Sequence, residues 1–282
     1  MSSTSIVVLG SLHYDIFIDS DKIPEKGETV LGNKWYPKLG GKGANQAAAL
    51  VKENIEVNFV SAVGNDDFAN YLMNQLSKNN ISDKFLLKTF GPSGMSVAIS
   101  NKKGNYCAVV ISGANLFLSE KIFGNDILWK NCSFLMIQNE IKEKINIRAA
   151  IEAKKRNIRV FLNAAPVKKI NDELFDLVDI LLVNEIESQQ LLDTKSTDFK
   201  RQAEELSNYV SKIIITLGDK GVTYLEKNKK VDHIKAHSVE VKSAHGAGDY
   251  FAGKFISNFI ETNDFKDSIK TANKKTSEFI SS

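Results

Sequence analysis

The chain has 282 residues, 43% hydrophobic and 25% charged, a balance that supplies a full core and excludes a protein built of membrane-spanning helices. Its 37 Lys and Arg against 34 Asp and Glu leave a formal charge of +3, far short of the concentrated basic patch of a nucleic-acid binder. No apolar run approaches the roughly 18 residues that cross a bilayer, and the amino terminus enters a strand-like segment without a basic region or cleavage site, so a cytoplasmic protein is expected. Two cysteines cannot make a disulfide framework; Cys107 and Cys132 lie in apolar stretches and are expected to be buried thiols.

Periodicity organises the rest. Short continuous apolar runs at residues 6–9, 57–63, 134–137, 160–162, 180–183 and 213–215 read as strands buried on both faces. Helical stretches lie between them: Ile145, Ala149 and Ala153 recur at helical spacing over 142–156, as do Ala203 and Leu206 over 199–209, with Val210 continuing the spacing just beyond. Strand alternating with helix predicts an α/β fold, with a mostly parallel central sheet, helices on both faces and ligands at the carboxyl ends of the strands. The alternation breaks early in the chain. Residues 15–18, 29–31, 85–89, 96–100 and 106–111 read as amphipathic strands with no crossover helix between them, and predict a small antiparallel sheet. Because its pieces are scattered, drawn from roughly 15–36 and 85–111, it is expected to be a lid within one domain spanning 1–282.

Two glycine clusters carry chemistry. In Gly40-Gly41-Lys42-Gly43-Ala44-Asn45-Gln46-Ala47, bare backbone, a lysine and an amide converge at the start of an Ala-rich helix, a place that suits an anionic or polyhydroxyl ligand. The spacing matches neither the Walker P-loop nor the dinucleotide fingerprint. In Gly246-Ala247-Gly248-Asp249, small residues at a helix start let consecutive N–H groups form a hole for a phosphoryl group's developing charge. Asp249, beside that hole, is placed to accept a proton from a hydroxyl attacking phosphorus. Taken alone, each cluster also reads as a turn and a favourable first helical turn.

Together, and in order, these stretches resemble the ribokinase family, the PfkB group of carbohydrate kinases. Gly10-Ser11-Leu12-His13-Tyr14-Asp15 is similar to its first strand and turn, and residues 40–47 and 246–249 to its two signatures. Asn163-Ala164-Ala165-Pro166, Asn184-Glu185-Ile186-Glu187 and Thr216-Leu217-Gly218-Asp219-Lys220-Gly221 resemble three motifs between them. The resemblance implies a ribokinase-like three-layer sandwich and transfer of the γ-phosphoryl of ATP to a sugar hydroxyl, ribose to ribose 5-phosphate in the first instance. It implies that Asp249 is the base and the backbone of Gly246, Ala247 and Gly248 the anion hole. Asp15, Gly41, Lys42, Asn45 and Glu140 would bind sugar hydroxyls, with His13 where the family carries Asn. Asn184, Thr216, Gly218, Gly221 and Asn273 would lie on the nucleotide side, and Glu187 would organise Mg²⁺ through water. Sugar and MgATP would be the partners, with no nucleic acid or membrane, and a homodimer would form through the lid.

Some positions depart from the family. Ser243-Ala244 stand where it writes Asp-Thr, Lys274-Lys275-Thr276-Ser277-Glu278 replace small residues after Asn273, and the chain stops at Ser282. The monovalent cation that such kinases use to order the anion-hole loop is therefore not expected here. His233, His237 and His245 lack zinc-type spacing and read as exposed strand or loop histidines, and residues 227–230 as a solvated hairpin turn. The alternatives are a non-catalytic sugar or nucleotide sensor on the same fold, a kinase for another sugar or nucleoside, and a nicotinamide oxidoreductase suggested by the parallel sheet alone.

Overall fold

The computed structural model describes residues 4–101 and 106–282. The chain begins with β1 (Ser5–Leu9), β2 (His13–Ser20), β3 (Gly32–Gly40), α1 (Lys42–Val51), β4 (Glu56–Val63), α2 (Asp67–Lys78), β5 (Leu86–Lys88), β6 (Gly94–Asn101) and β7 (Tyr106–Ile111). Three short 3₁₀ turns follow, and then β8 (Cys132–Gln138), α3 (Glu143–Lys155), β9 (Arg159–Asn163), α4 (Asp172–Leu177), β10 (Ile180–Asn184), α5 (Glu185–Leu191) and α6 (Phe199–Leu206). The last elements are β11 (Lys212–Thr216), β12 (Val222–Glu226), β13 (Asp232–Ile234), α7 (Ala247–Thr262) and α8 (Phe265–Ser281).

One sheet has nine strands in the order β13-β12-β11-β10-β9-β8-β1-β4-β5, parallel from β5 to β11, with β12 antiparallel to β11 and β13 antiparallel to β12. The continuous apolar runs are strands here because both faces are covered. Along β1, Val7 and Leu9 join the core beneath α3, α4 and α6, whereas Ile6 and Val8 join the core beneath α1, α2, α7 and α8. The second core is aromatic: fully buried Phe255 stacks on Phe161 at 5.9 Å and on Phe259 at 5.4 Å, and meets Phe265 edge-on at 5.6 Å. Phe255→Ala is expected to lower unfolding free energy by about 3–5 kcal/mol, the cost of an aromatic-sized cavity, read as a shift in the urea midpoint.

The second sheet, β3-β2-β6-β7, is the lid. Its β2–β3 and β6–β7 pairs are antiparallel, and the central β2–β6 pair is parallel. The chain leaves the lid after β3 to build α1 through β5 and comes back as β6 in the direction of β2, through the long crossover that a parallel pair requires.

Four expectations need correction. Residues 29–31 are a loop, with Leu31 93% exposed; β2 ends at Ser20, opposite Gly32, so no partner backbone reaches further back. Residues 85–89 belong to the large sheet, where Leu86 pairs with Ser61 of β4. They arrive there through α2, a crossover helix missing from the reading, begun by Asp66 accepting from the Ala69 N–H at 2.9 Å. Cys107 is exposed, because β7 is the outer strand of the lid. Cys132 is half-buried, and burial pushes its thiol up to about 11. Residues 227–230 do form the turn between β12 and β13.

Candidate active site

The carboxyl ends of β8 to β11, the first turns of α1 and α7, and the underside of the lid enclose a cavity of about 340 Å³. His13, Asp15, Gly41, Lys42, Asn45, Glu140, Asn184, Thr216, Glu187, Gly246, Ala247, Gly248 and Asp249 all line it. Gly218, Gly221 and Asn273 do not. They line an adjoining cavity of about 470 Å³ that shares Thr216, Ala244, Ala247 and Gly248 with the first.

Backbone conformation explains the glycines. Gly41 precedes α1 with φ 92° and Gly246 precedes α7 with φ 74°, values that a side chain would strain. A Cβ on Gly246 or Gly248 would meet nothing within 4 Å, so these backbones face open space at the positive end of a 16-residue helix. That is room for an anion.

Asp249 lies in the first turn of α7 and is 5% exposed. Its Oδ1 accepts from Gln46 Nε2 at 3.0 Å and Asn163 Nδ2 at 3.4 Å, and its Oδ2 from Asn45 Nδ2 at 3.2 Å. Gln138 Nε2 donates to Gln46 Oε1 at 2.7 Å and fixes that amide's orientation. Burial raises the carboxyl above its ordinary range, opposed by the charge of Lys42 and by the amides of Asn45 and Gln46. An aspartate so held is aimed, desolvated and a stronger base than one in water.

At the other end, Asp15 is 6% exposed and its Oδ1 accepts from Ser96 Oγ at 2.6 Å. Burial raises it too, against Ser96, His13 and His245. His13 is 2% exposed and its Nε2 has no partner among the described residues. Glu140 accepts from the Lys42 N–H at 2.9 Å and from the Ser11 hydroxyl, so it holds the start of α1 as well as facing the cavity. Asn184 and Glu187 form a reciprocal capping box on α5, each accepting from the other's N–H at 2.8 Å. Burial raises Glu187, opposed by the Asn184 N–H and by Lys42. Asn273 Nδ2 donates to Lys235 O at 2.9 Å, tethering the segment between β13 and α7.

The sequence reading did not select Gln46, Ser96 or His245, and quoted Asn163 only within a motif. Gln46 carried a signal: an amide among alanines on a buried helix face needs partners. His245 is an exposed loop histidine, as expected, and it also faces the site. It lines the cavity, meets Phe17 of the lid edge-on at 5.0 Å, and is held below its ordinary range by burial, with Asp15 opposing. Its place rests on lid packing that no spacing reveals. Among the described residues, no three His, Cys, Asp or Glu side chains form a ready cage for a metal.

Comparison with known proteins identifies the family. Residues 3–281 match the family described as pfkB family carbohydrate kinase. The chain is 29% identical to a ribokinase of Staphylococcus aureus over 98% of its own length and 93% of the relative's. It is 30% identical to a deoxyribokinase of Salmonella typhi over 95% and 89%. The solved structure of Arabidopsis thaliana ribokinase complexed with ribose and ATP superposes with a TM-score of 0.88 at 25% identity, covering 99% of this chain and 93% of that one. With both signatures at one cavity and the family matched almost end to end, this chain belongs to the PfkB family of carbohydrate kinases.

Proposed function

We propose that the chain transfers the γ-phosphoryl of MgATP to a hydroxyl of ribose, giving ribose 5-phosphate. The observation that carries this is the buried Asp249 carboxylate, aimed by three amides beside the open backbone of Gly246 to Gly248, in one cavity with Asp15. Asp15, Lys42, Asn45 and Glu140 hold the sugar hydroxyls. Asp249 takes the proton of the attacking hydroxyl as its oxygen bonds to the γ-phosphorus; the bond to the β–γ bridging oxygen breaks and ADP leaves. The N–H groups of residues 246–248 meet the charge on the transferring group.

The acidic groups fit Mg²⁺ brought in with the nucleotide and its waters: Glu187 lines the cavity, and among the described residues no three His, Cys, Asp or Glu side chains make a closed cage. Bound there, the ion neutralises the phosphates. Thr216, Gly218, Gly221, Asn184 and Asn273 hold the nucleotide side. ADP release measured over ribose, deoxyribose, hexoses and nucleosides tests the reading; the highest kcat/KM is expected for ribose, and its absence with every pentose overturns it. Another sugar is the second reading, supported by the buried imidazole of His13 beside Asp15.

Two further expectations follow. Ser243, whose hydroxyl accepts from the His245 N–H at 3.4 Å, offers no charge to offset dehydration of a monovalent cation. Turnover in potassium and in a bulky ammonium salt at equal ionic strength is therefore expected to agree, and a severalfold activation by potassium would show a surviving site. For the lid, Trp35 is 64% and Val109 66% exposed, so pairing of two copies through this sheet is expected. Light scattering that gives a monomer mass at micromolar concentration would exclude it.

A further inference from the structure

The cavity beside the anion hole is walled by apolar side chains, Val222, Val239, Phe251 and Ile280 among them, a surface suited to a flat ring. One polar atom in that wall has no partner among the described residues. Thr276 Oγ1, on α8 one turn beyond Asn273, is buried and has no hydrogen-bond partner among the described residues. Its neighbour Ser277 has satisfied its hydroxyl by donating to Asn273 O at 3.1 Å, and the Asn273 amide nitrogen is engaged with Lys235 O. Thr276 does neither, although a helical threonine commonly bonds the carbonyl one turn back.

Buried hydroxyls are rarely left unpaired, because the desolvation is uncompensated. We propose that Thr276 is a base-reading residue: its hydroxyl hydrogen-bonds the polar edge of the purine of the bound nucleoside triphosphate. A threonine in a helix has two accessible χ1 rotamers, so the oxygen can turn to a ligand without moving the backbone. The apolar walls hold the faces of the ring, and Thr276 supplies a polar contact at its rim. This deepens the nucleotide reading of the cavity and rests on it.

Thr276→Val keeps the shape and removes the hydroxyl. Its KM for MgATP is expected to rise about three- to tenfold, the range for one lost hydrogen bond. The KM for the sugar should hold, as should the Ki of inorganic tripolyphosphate, a competitor that has the phosphates and no base. Thr276→Ser should restore most of the affinity for MgATP. An unchanged KM for MgATP in Thr276→Val overturns the proposal while leaving the kinase reading intact. A parallel rise in all three constants marks a merely structural role and also overturns it. A wild-type chain that phosphorylates no sugar from MgATP overturns the proposed function and this inference with it.

Discussion

Asp249→Asn is expected to lower kcat about a hundredfold or more while changing the KM for sugar little, because it removes the proton acceptor and keeps the shape of the side chain. The wild-type pH profile should share the cause. Asp249 acts only when ionised, and burial raises its folded-state value, so kcat/KM is expected to fall with decreasing pH above the usual carboxylate range. A variant with near wild-type turnover, or an acid limb at the ordinary aspartate value, would remove Asp249 from the mechanism. Stability should move the other way. For an acid whose value is raised on folding, stability is fully present below the unfolded value and is lost as pH rises through the folded one. Ionised Asp249 therefore costs stability at neutral pH, as Asp15 and Glu187 do for the same reason. The Asn variant is expected to melt at no lower temperature than wild type at neutral pH, with any advantage shrinking as pH falls. A function-bearing carboxylate held in a dry place is a common exchange of stability for activity.

Gly40→Ala is expected to raise the KM for sugar by about tenfold or more and to leave the KM for MgATP near its wild-type value. An added Cβ at Gly40 would overlap the Asp15 carboxylate, Oδ2 and Cγ alike, closer than any non-bonded contact allows. The clash is relieved by turning the Asp15 carboxylate away, which breaks its 2.6 Å hydrogen bond with Ser96 and takes it from the hydroxyls it is proposed to bind. Calorimetric titration with sugar and with nucleotide separates the two effects. Equal affinity for sugar in the variant would show that Asp15 does not hold it.

The strand period identified β1, β4, β8, β9, β10 and β11 of the central sheet, although the helix period missed α2. Runs such as Ile213-Ile214-Ile215 are apolar at every position, and only a strand covered on both faces buries them all. The two glycine clusters were legible because a helix start with small residues and a chosen polar side chain has few other uses. Legible too, as a local device, was Asn184-x-x-Glu187, which folds into a capping box through contacts three residues apart.

What the sequence could not reveal is which distant side chains share a charge or a hydrogen bond. Asp249 takes its amides from residues 45, 46 and 163, separated from it by up to 204 positions, and burial raises its value against the opposing hydrogen bonds of Asn45 and Gln46. The same holds for β5, whose three residues pair with β4 rather than with the lid, and for His245, whose ring meets Phe17 only once the lid lies over α7. Composition and period set how each segment buries its apolar face with its immediate neighbours. Desolvation, long-range pairing and the orphaned hydroxyl of Thr276 are properties of a packed interior, and they exist only after the layers close.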